Sequence, residues 1–264
     1  MDYQYILVDV KDRIATVTIN RPEYSNAFAR ESYFEIADAM NTLGAREDVG
    51  TIVITGAGKH FSAGGDIKRF KMLVDTGAYL KAEDIEAVSA MPMSIRNCPK
   101  PVIAMINGVA TGAGLSCALA CDFRIVEPSS KMIMAFVNMG LCGDNESIYT
   151  LIRLVGPDKA ELMMMTGDAY KGEQCVKTGL ATVLAEDGKL AETTYALAAK
   201  LASKSSTAHA GQKRLIRKYF YGGMENFAKD EGIEMAAASR QPDFTEAVNA
   251  FIEKRMPAYN LPHK

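Results

Sequence analysis

TIVITGAGKHFSAGGDIKRF, residues 51–70, passes from a mostly apolar run through two adjacent glycines to an Asp-Ile-Lys-Arg sequence. The first six residues are rich in β-branched side chains, a composition typical of a short strand that is buried on both faces. The segment SAGGD (62–66) carries almost no side-chain bulk and leads into a helix start. The stretch therefore predicts a strand, a glycine loop and a helix, in that order.

The same alternation of strands and helices continues on both sides of this stretch. Residues 4–9 and 13–19 predict a hairpin with Lys11-Asp12 as its turn. Further predicted elements are strands at 101–108 and 123–128 and helices at 28–43, 81–96 and 112–121. Short buried strands that are each followed by a helix favour a parallel sheet in an α/β fold.

The pattern changes from about residue 158, where predicted strands nearly vanish. Helical spacing continues at 158–165, 172–178, 188–203, 206–220, 224–238 and 243–255. We therefore expect an α/β core over residues 1–195 and a helical C-terminal region over residues 196–264.

Composition excludes several classes of function. The 30 basic and 32 acidic residues nearly cancel, which leaves no excess charge to attract nucleic acid or an anionic membrane. No apolar run is long enough to span a membrane, and the first residues lack a signal-peptide pattern. The five cysteines form no CxxC pair, and His and Cys show no metal-ligand spacing. We expect a cytoplasmic protein with no metal site, no nucleic-acid partner and no membrane partner.

Two glycine-rich segments share one arrangement. SAGGD (62–66) and NGVATGAGLS (107–116) each follow a predicted strand and bring small side chains to a helix start. The first N–H groups of a helix have no partner within it, and two such donors directed at one oxygen stabilise negative charge on that oxygen. Alternatively, the glycines only permit tight turns or close helix packing. Neither segment has the GxGxxG or GxxxxGK[ST] spacing of a nucleotide-binding loop.

Four motifs resemble those of the crotonase, or enoyl-CoA hydratase/isomerase, superfamily, and the resemblance extends over nearly the whole chain. They are RPEYSNAF (21–28), TGAGKHFSAGGDIKRF (55–70), KPVIAMINGVATGAGLSCALACDFRI (100–125) and LIRLVGPDKAELMMMTGDAYKGEQCVKTGL (151–180). The resemblance implies a ββα spiral core with a C-terminal helical oligomerisation region, assembled as a homotrimer or a dimer of trimers. It also implies an acyl-CoA thioester substrate whose carbonyl oxygen accepts from the N–H groups of Gly65 and Ala113. No cofactor is implied beyond the coenzyme A of the substrate.

The resemblance also implies which residues contact coenzyme A. They are Ser25 and Ala27 in an early loop, Ala63, Asp66, Ile67 and Lys68 around the first glycine segment, and Phe251 and Lys254 in the C-terminal helix. In similar proteins the early loop lines the pantetheine and adenine path, the second group meets the adenine and a phosphate, and the helix reaches the nucleotide of a neighbouring subunit. Alternatively, Lys68 is an ordinary solvated charge.

The acid–base residues depart from the pattern of the family's hydratases, which use two glutamates. Ser116 and Phe136 occupy those positions here, and neither can serve as a base. Eight residues beyond Phe136, Asp144 aligns with the Asp or Glu of double-bond isomerases and of the aromatic dehalogenase branch. Alternatively, Asp144 is only the N-cap of the following helix, with Glu146 in its first turn.

One base is enough for an isomerase, because the same carboxyl can remove a proton beside the thioester and return it two carbons away. We therefore expect isomerisation of an enoyl- or dienoyl-CoA with Asp144 as base. Two alternatives stay open: hydration or C–C hydrolysis of an alicyclic acyl-CoA by Asp144 with Glu146, and coenzyme A binding without catalysis. Ser116, Phe136 and Met139 are expected to line the acyl pocket, where Phe136 favours a branched, long or cyclic acyl group.

Overall fold

The computed structural model describes residues 2–259 of the chain. Within these residues the strands form a six-stranded sheet in the order β1-β2-β3-β4-β6-β9 and a three-stranded sheet in the order β5-β7-β8. The strands are β1 (Ile6–Lys11), β2 (Ile14–Ile19), β3 (Thr51–Gly56), β4 (Val102–Met105), β5 (Val109–Thr111), β6 (Phe123–Val126), β7 (Lys131–Ile133), β8 (Ala169–Lys171) and β9 (Val183–Leu184).

In the larger sheet β2, β3, β4, β6 and β9 run parallel, and β1 pairs antiparallel with β2. The expected β1-β2 turn at Lys11-Asp12 is wrong by one residue, because Lys11 still pairs with Ile14. The turn lies at Asp12 and Arg13, whose φ angles are 50° and 64°. Two consecutive left-handed residues match the right-handed twist of the paired strands, which accounts for this position.

Helices connect the strands and cover both faces of the larger sheet. They are α1 (Arg30–Ala45), α2 (Ile67–Thr76), α3 (Ala82–Val88), α4 (Ala90–Asn97), α5 (Ala113–Ala120), α6 (Ser147–Val155), α7 (Pro157–Thr166), α8 (Gly172–Thr178), α9 (Leu190–Ala202), α10 (Ser206–Tyr219), α11 (Met224–Ala238) and α12 (Pro242–Ile252). No helix within residues 2–259 is both long and apolar enough to cross a membrane.

The helix expected over residues 81–96 is in fact two helices. α3 ends at Val88 and α4 begins at Ala90, with Ser89 between them. Pro92 explains the break, since a proline inside a continuous helix would lack its N–H and would clash with the carbonyl of Val88. The break places Pro92 in the first turn of α4, where a missing N–H leaves no bond unmade.

The two faces of the larger sheet bury alternate residues of each strand. On one face Ile52 and Ile54 of β3 belong to a core cluster shared with α1, α4 and α5. On the other face Val53 packs with Ala198 of α9. The expected division at residue 195 falls inside α9, which lies on the sheet, so the helices beyond the sheet begin with α10.

The C-terminal helices pack back over the core. α11 packs against α3, and α12 packs against α2 and against a 3-10 helix at Val137–Met139. The rings of Phe70 in α2 and Phe244 in α12 meet edge to face with their centroids 5.5 Å apart. These contacts place α2, α3, α11 and α12 around one cavity.

Candidate active site

A cavity of about 330 Å³ lies between the two glycine segments, the segment before α6 and the C-terminal helices. Its wall contains Gly65, Ala113 and Asp144, three residues that the sequence assigns to catalysis. Most of the remaining wall is apolar and includes Phe28, Phe70, Ile85, Phe136, Met235 and Ala247. A small molecule with a hydrocarbon part fits such a surface, and the few polar groups set its orientation.

The two glycine segments lie side by side because backbone hydrogen bonds join them. Ser62 N donates to the carbonyl of Val109 at 3.0 Å, and Thr111 N donates to the carbonyl of Ser62 at 3.1 Å. Gly64 has a φ of 86°, and a Cβ added to it would lie 2.7 Å from the Thr111 carbonyl oxygen. The close approach of the two segments therefore requires glycine at this position.

Two residues of the cavity wall have backbone N–H groups without a hydrogen-bond partner among residues 2–259. Ala113 is the first residue of α5, so its N–H has no acceptor within the helix. In the part of the chain that the structure describes, neither Gly65 N nor Ala113 N donates a hydrogen bond. Both residues line the same cavity. Such a pair can stabilise an oxygen that gains negative charge, and this role of Gly65 and Ala113 stays a prediction.

Asp144 supplies a carboxyl group whose Oδ1 has no hydrogen-bond partner among the described residues. The residue is 7% exposed, and burial raises its pKa to about 6, while Asn145 and Arg69 act in the opposite direction. The side chain does not cap α6: the helix begins at Ser147, and Ser147 N donates to the backbone carbonyl of Asp144. The side chain of Asp144 is therefore available to a bound molecule.

The second cavity-lining carboxylate, Asp66, already has partners. It accepts a hydrogen bond from Lys68 N at 2.9 Å and thereby caps α2. It also forms an ion pair with Arg21 at 3.0 Å. Because these contacts occupy both oxygens, Asp66 holds the loop and is a poor candidate for a base.

The segment that carries Asp144 is tightly constrained. Asn145 and Glu146 have φ angles of 56° and 52°, a conformation that is costly for residues other than glycine. The hydroxyl of Ser116 lies 3.2 Å from the carbonyl oxygen of Asp144 and 3.2 Å from that of Gly112. Ser116 does not line the cavity, so its contact is with the loop and not with the expected acyl pocket, whereas Phe136 and Met139 do line it.

Glu146 is not part of the cavity wall, although it precedes α6 and lies only two residues from Asp144. Its side chain is fully buried, and neither carboxyl oxygen hydrogen-bonds to a described residue. Burial is the main cause that raises the pKa of Glu146 to about 8; Ser89 acts in the opposite direction, and the charge of Asp144 contributes to the rise. The structure therefore does not bring the two carboxyl groups together in one substrate-facing pair.

The residues expected to contact coenzyme A are distributed between the cavity wall and the loop behind it. Four line the wall: Ala63, Asp66, Ile67 and Phe251. Phe251, which was expected to reach a neighbouring subunit, lines the cavity of its own chain. Lys68 does not line the cavity, and its Nζ lies 4.4 Å from the centroid of the Tyr24 ring.

The early loop supports these wall residues. The carbonyl of Ser25 accepts from Ala63 N at 3.0 Å, and the carbonyl of buried Ala27 accepts from Nη1 of Arg21 at 2.6 Å. Lys254 is exposed at the end of α12 and lies outside the cavity wall. Contact of these residues with coenzyme A stays a prediction.

Sequence reasoning missed several polar residues of the cavity, among them Tyr33 and Arg69. Tyr33 lies on the buried face of α1, where its spacing is that of any core residue. Arg69 belongs to a basic run that is typical of a solvated helix face. Only contact with the cavity distinguishes them, so no sequence signal could have found them.

No group of three metal-binding side chains occurs within residues 2–259.

An α/β fold that encloses a mainly apolar cavity, with two N–H groups and a carboxyl in its wall that have no partner among the described residues, is typical of an enzyme that binds a small, partly apolar molecule. A family model described as enoyl-CoA hydratase/isomerase matches residues 9–261. The chain belongs to the enoyl-CoA hydratase/isomerase family, whose members act on acyl-CoA thioesters. The expected crotonase superfamily and fold are thereby confirmed.

Relatives in this family carry different names. The chain is 31% identical over 260 residues to the trans-2-decenoyl-[acyl-carrier-protein] isomerase of Streptococcus mutans, with 98% of this chain and 99% of that protein covered. It is 30% identical to the 1,2-epoxyphenylacetyl-CoA isomerase of Escherichia coli, with 97% and 98% covered. A crystal structure of an enoyl-CoA hydratase from Mycobacterium avium subsp. paratuberculosis superposes with a TM-score of 0.89 at 26% identity, covering 98% of this chain and all of that one.

Proposed function

We propose that the chain moves a carbon–carbon double bond within an enoyl- or dienoyl-CoA, with Asp144 as the group that transfers the proton. The observation that carries this proposal is that one unpaired, buried carboxyl shares a cavity with two unpaired backbone N–H groups, those of Gly65 and Ala113. A second carboxylate in the wall, Asp66, is held by Arg21 and by the start of α2.

The reaction needs one base and one site for negative charge. For a 3-enoyl thioester, the Asp144 carboxylate removes a proton from C2, and the electron pair moves onto the thioester oxygen. The N–H groups of Gly65 and Ala113 stabilise the resulting dienolate. When the carbonyl re-forms, the double bond lies between C2 and C3, and the protonated Asp144 returns the proton to C4.

The environment of Asp144 suits this role. Its pKa of about 6 leaves the group mainly ionised near neutral pH, yet makes it a stronger base than a solvated aspartate. Hydration would require a second group to activate water, and Glu146 lies outside the cavity wall. These two observations favour isomerisation over hydration or C–C hydrolysis.

The family indicates that coenzyme A carries the acyl group as a thioester, and this choice of carrier can be tested. The residues Ala63, Asp66 and Ile67 line the cavity where the resemblance places coenzyme A. The Streptococcus mutans relative is named for an acyl-carrier-protein substrate. We propose coenzyme A as the carrier here, and comparison of the same acyl group on coenzyme A and on acyl carrier protein measures the preference.

The test of the reaction is mass spectrometry of 3-enoyl-CoA and 2-enoyl-CoA incubated with the enzyme in heavy water. We expect wild type to form the isomer with solvent deuterium incorporated and without added water. Asp144→Asn keeps the size of the side chain but removes the base, so we expect a loss of at least about 100-fold. Asp187→Asn, an exposed residue outside the cavity wall, is the matched control and retains wild-type activity.

Three results would count against this assignment. Addition of water by wild type would indicate a hydratase and would make Glu146 the candidate for the second acid–base group. Full activity in Asp144→Asn would show that another group moves the proton. Binding of acyl-CoA with no turnover across linear and cyclic enoyl groups would indicate a family member that binds without catalysis.

We also propose a cytoplasmic homotrimer or dimer of trimers. Support comes from large apolar side chains that α10 and its end expose in the single chain, at Leu215, Ile216 and Phe220. Exposed apolar side chains on neighbouring turns are typical of surfaces that a partner covers. Sedimentation equilibrium of the purified protein measures the assembly directly, and a monomer would contradict it.

A further inference from the structure

The cavity wall contains one cationic group that has no ion-pair partner within residues 2–259 and no role in the proposed reaction, the guanidinium of Arg69 on α2. Apart from the expected base, the other charged side chains of the wall are already paired, Asp66 with Arg21 and Arg255 with Glu246. Arg69 forms no ion pair and no side-chain hydrogen bond with any residue from 2 to 259. Its positive charge is therefore available to a bound molecule.

Arg69 lines the same cavity wall as Asp144 and Tyr33. Its charge lowers the pKa of Asp144 and of Tyr33 against the larger effect of burial, so the guanidinium lies within electrostatic reach of both groups. Tyr33 is 4% exposed and lines the same wall, and its hydroxyl has no hydrogen-bond partner in the described part of the chain. A cation and an unpaired hydroxyl donor thus share a region that is otherwise mainly apolar.

A half-buried guanidinium without a counter-ion is unfavourable, and among the described residues of the wall Asp144 is the one acidic side chain without an ion pair that can balance it. During the proposed reaction Asp144 takes up a proton and becomes neutral while the negative charge moves to the thioester oxygen, so no unpaired acidic side chain of the described wall remains to balance Arg69. A planar guanidinium matches a carboxylate in two parallel hydrogen bonds, and the Tyr33 hydroxyl can donate a third. A carboxylate on the ligand would balance the charge of Arg69 and would accept the hydrogen bonds that Arg69 and Tyr33 can donate.

We propose that Arg69 and Tyr33 form a subsite for a carboxylate carried by the acyl group, so that the preferred substrate is the monothioester of an unsaturated dicarboxylic acid. The inference rests on the proposed function, because that function places an acyl thioester in the cavity. The thioester oxygen has its own donors at Gly65 and Ala113, so the carboxylate at the other end of the acyl group is the part that reaches Arg69.

The test measures binding of unreactive, saturated ligands by calorimetry, so that it does not depend on turnover. The ligands are hexanoyl-CoA, the mono-CoA thioester of adipic acid, and coenzyme A alone. We expect wild type to bind the adipoyl thioester at least about tenfold more tightly than hexanoyl-CoA. Arg69→Met is expected to abolish this preference while binding hexanoyl-CoA within about threefold of wild type, and Tyr33→Phe to reduce the preference several-fold.

Two further variants serve as controls. Lys71→Met removes a cation from the same helix at a residue outside the cavity wall and is expected to keep the preference. Arg69→Lys keeps the charge but not the planar pair of donors, and we expect it to restore part of the preference. Circular dichroism of each variant shows whether the fold is retained, and the Tyr33→Phe result stands if Arg69→Met does not fold.

Each contrary outcome has a distinct meaning. Equal affinity of wild type for the two acyl thioesters would overturn the subsite. An equal loss by Arg69→Met for both thioesters and for coenzyme A alone would assign Arg69 to the coenzyme A phosphates and also overturn it. A preference for the dicarboxylic ligand without isomerisation of its unsaturated form would contradict the proposed function and leave the subsite standing.

Discussion

Oε2 of Glu231 lies 2.7 Å from the backbone nitrogen of Glu146, and this buried hydrogen bond joins α11 to the segment that carries Asp144. The opposite side of the segment meets the hydroxyl of Ser116 on α5. The left-handed residues between these contacts give the chain a sharp turn that is costly without such support. The direction of the Asp144 carboxyl therefore depends on a helix that follows it by more than 70 residues.

Removal of this contact is expected to impair catalysis more than binding. In Glu231→Leu the N–H of Glu146 loses its acceptor and the loop can shift, and a displacement of about 1 Å at a reacting group costs about 100-fold in rate. Glu231→Gln keeps an acceptor oxygen, so we expect it to retain kcat within about threefold. Steady-state kinetics separate the lowered kcat from a nearly unchanged KM, and an equal loss in both variants would assign the effect to charge instead.

The pH dependence of the rate reports the state of Asp144. A base must be ionised to accept a proton, and burial places the pKa of Asp144 at about 6. We therefore expect kcat/KM to fall about tenfold per pH unit below pH 6 and to level off above it. A profile of kcat/KM against pH in buffers of constant ionic strength tests this, and a rate that is flat down to about pH 4 would contradict it.

The buried carboxyl of Glu146 makes the free energy of unfolding depend on pH. Burial raises its pKa to about 8 from an ordinary value of 4.5, so between these values the folded state holds a proton that the unfolded state has released. The free energy of unfolding then decreases as pH rises through this range, by up to about 1.4 kcal/mol per unit for this group. Glu146→Gln removes the titration, so we expect a flatter profile and greater stability than wild type at about pH 8.

Urea denaturation at several pH values measures this difference. Glu161→Gln, a change at an exposed position of α7, is the matched control and is expected to follow the wild-type profile. If Glu146→Gln also followed the wild-type profile, the prediction would be wrong. Such a result would mean that the carboxyl of Glu146 is solvated equally well in the folded and the unfolded states.

A comparison of Gly64 with Gly188 separates the effect of backbone strain from the effect of a close contact. Both have positive φ angles, 86° and 71°, but a Cβ at Gly64 would lie 2.7 Å from the Thr111 carbonyl oxygen, whereas one at Gly188 would have no neighbour within 4 Å. Alanine at either position costs about 1–2 kcal/mol in backbone strain. We expect Gly64→Ala to lose further stability and at least about tenfold in activity, since the adjacent N–H of Gly65 must move, while Gly188→Ala stays active. Thermal unfolding and initial rates measure both effects, and equal behaviour of the two variants would show that the contact is easily relieved.

Local patterns predicted most of the secondary structure. β3 occupies residues 51–56, and α8 and α11 have the predicted bounds, because β-branched runs and helical spacing act over a few residues. The break at Ser89 was also encoded locally, in Pro92, but a helical pattern of apolar residues extends across it. The hairpin turn was misplaced by one residue because strand pairing, and not turn composition alone, determines its position.

The family, the longer strands, most of the helices and the candidates Gly65, Ala113 and Asp144 could be predicted from the sequence, because short motifs carry these features, whereas the short strands β5, β7, β8 and β9 could not. The three-dimensional packing was needed to show that the three line one cavity, that Glu146 lies outside its wall, and that Tyr33 and Arg69 lie in it. This is so because burial and the lack of a hydrogen-bond partner arise from packing between segments that are distant in the chain. The residue type alone does not show whether solvent, another side chain or a substrate accepts or donates the hydrogen bonds of a carboxylate, a hydroxyl or a guanidinium.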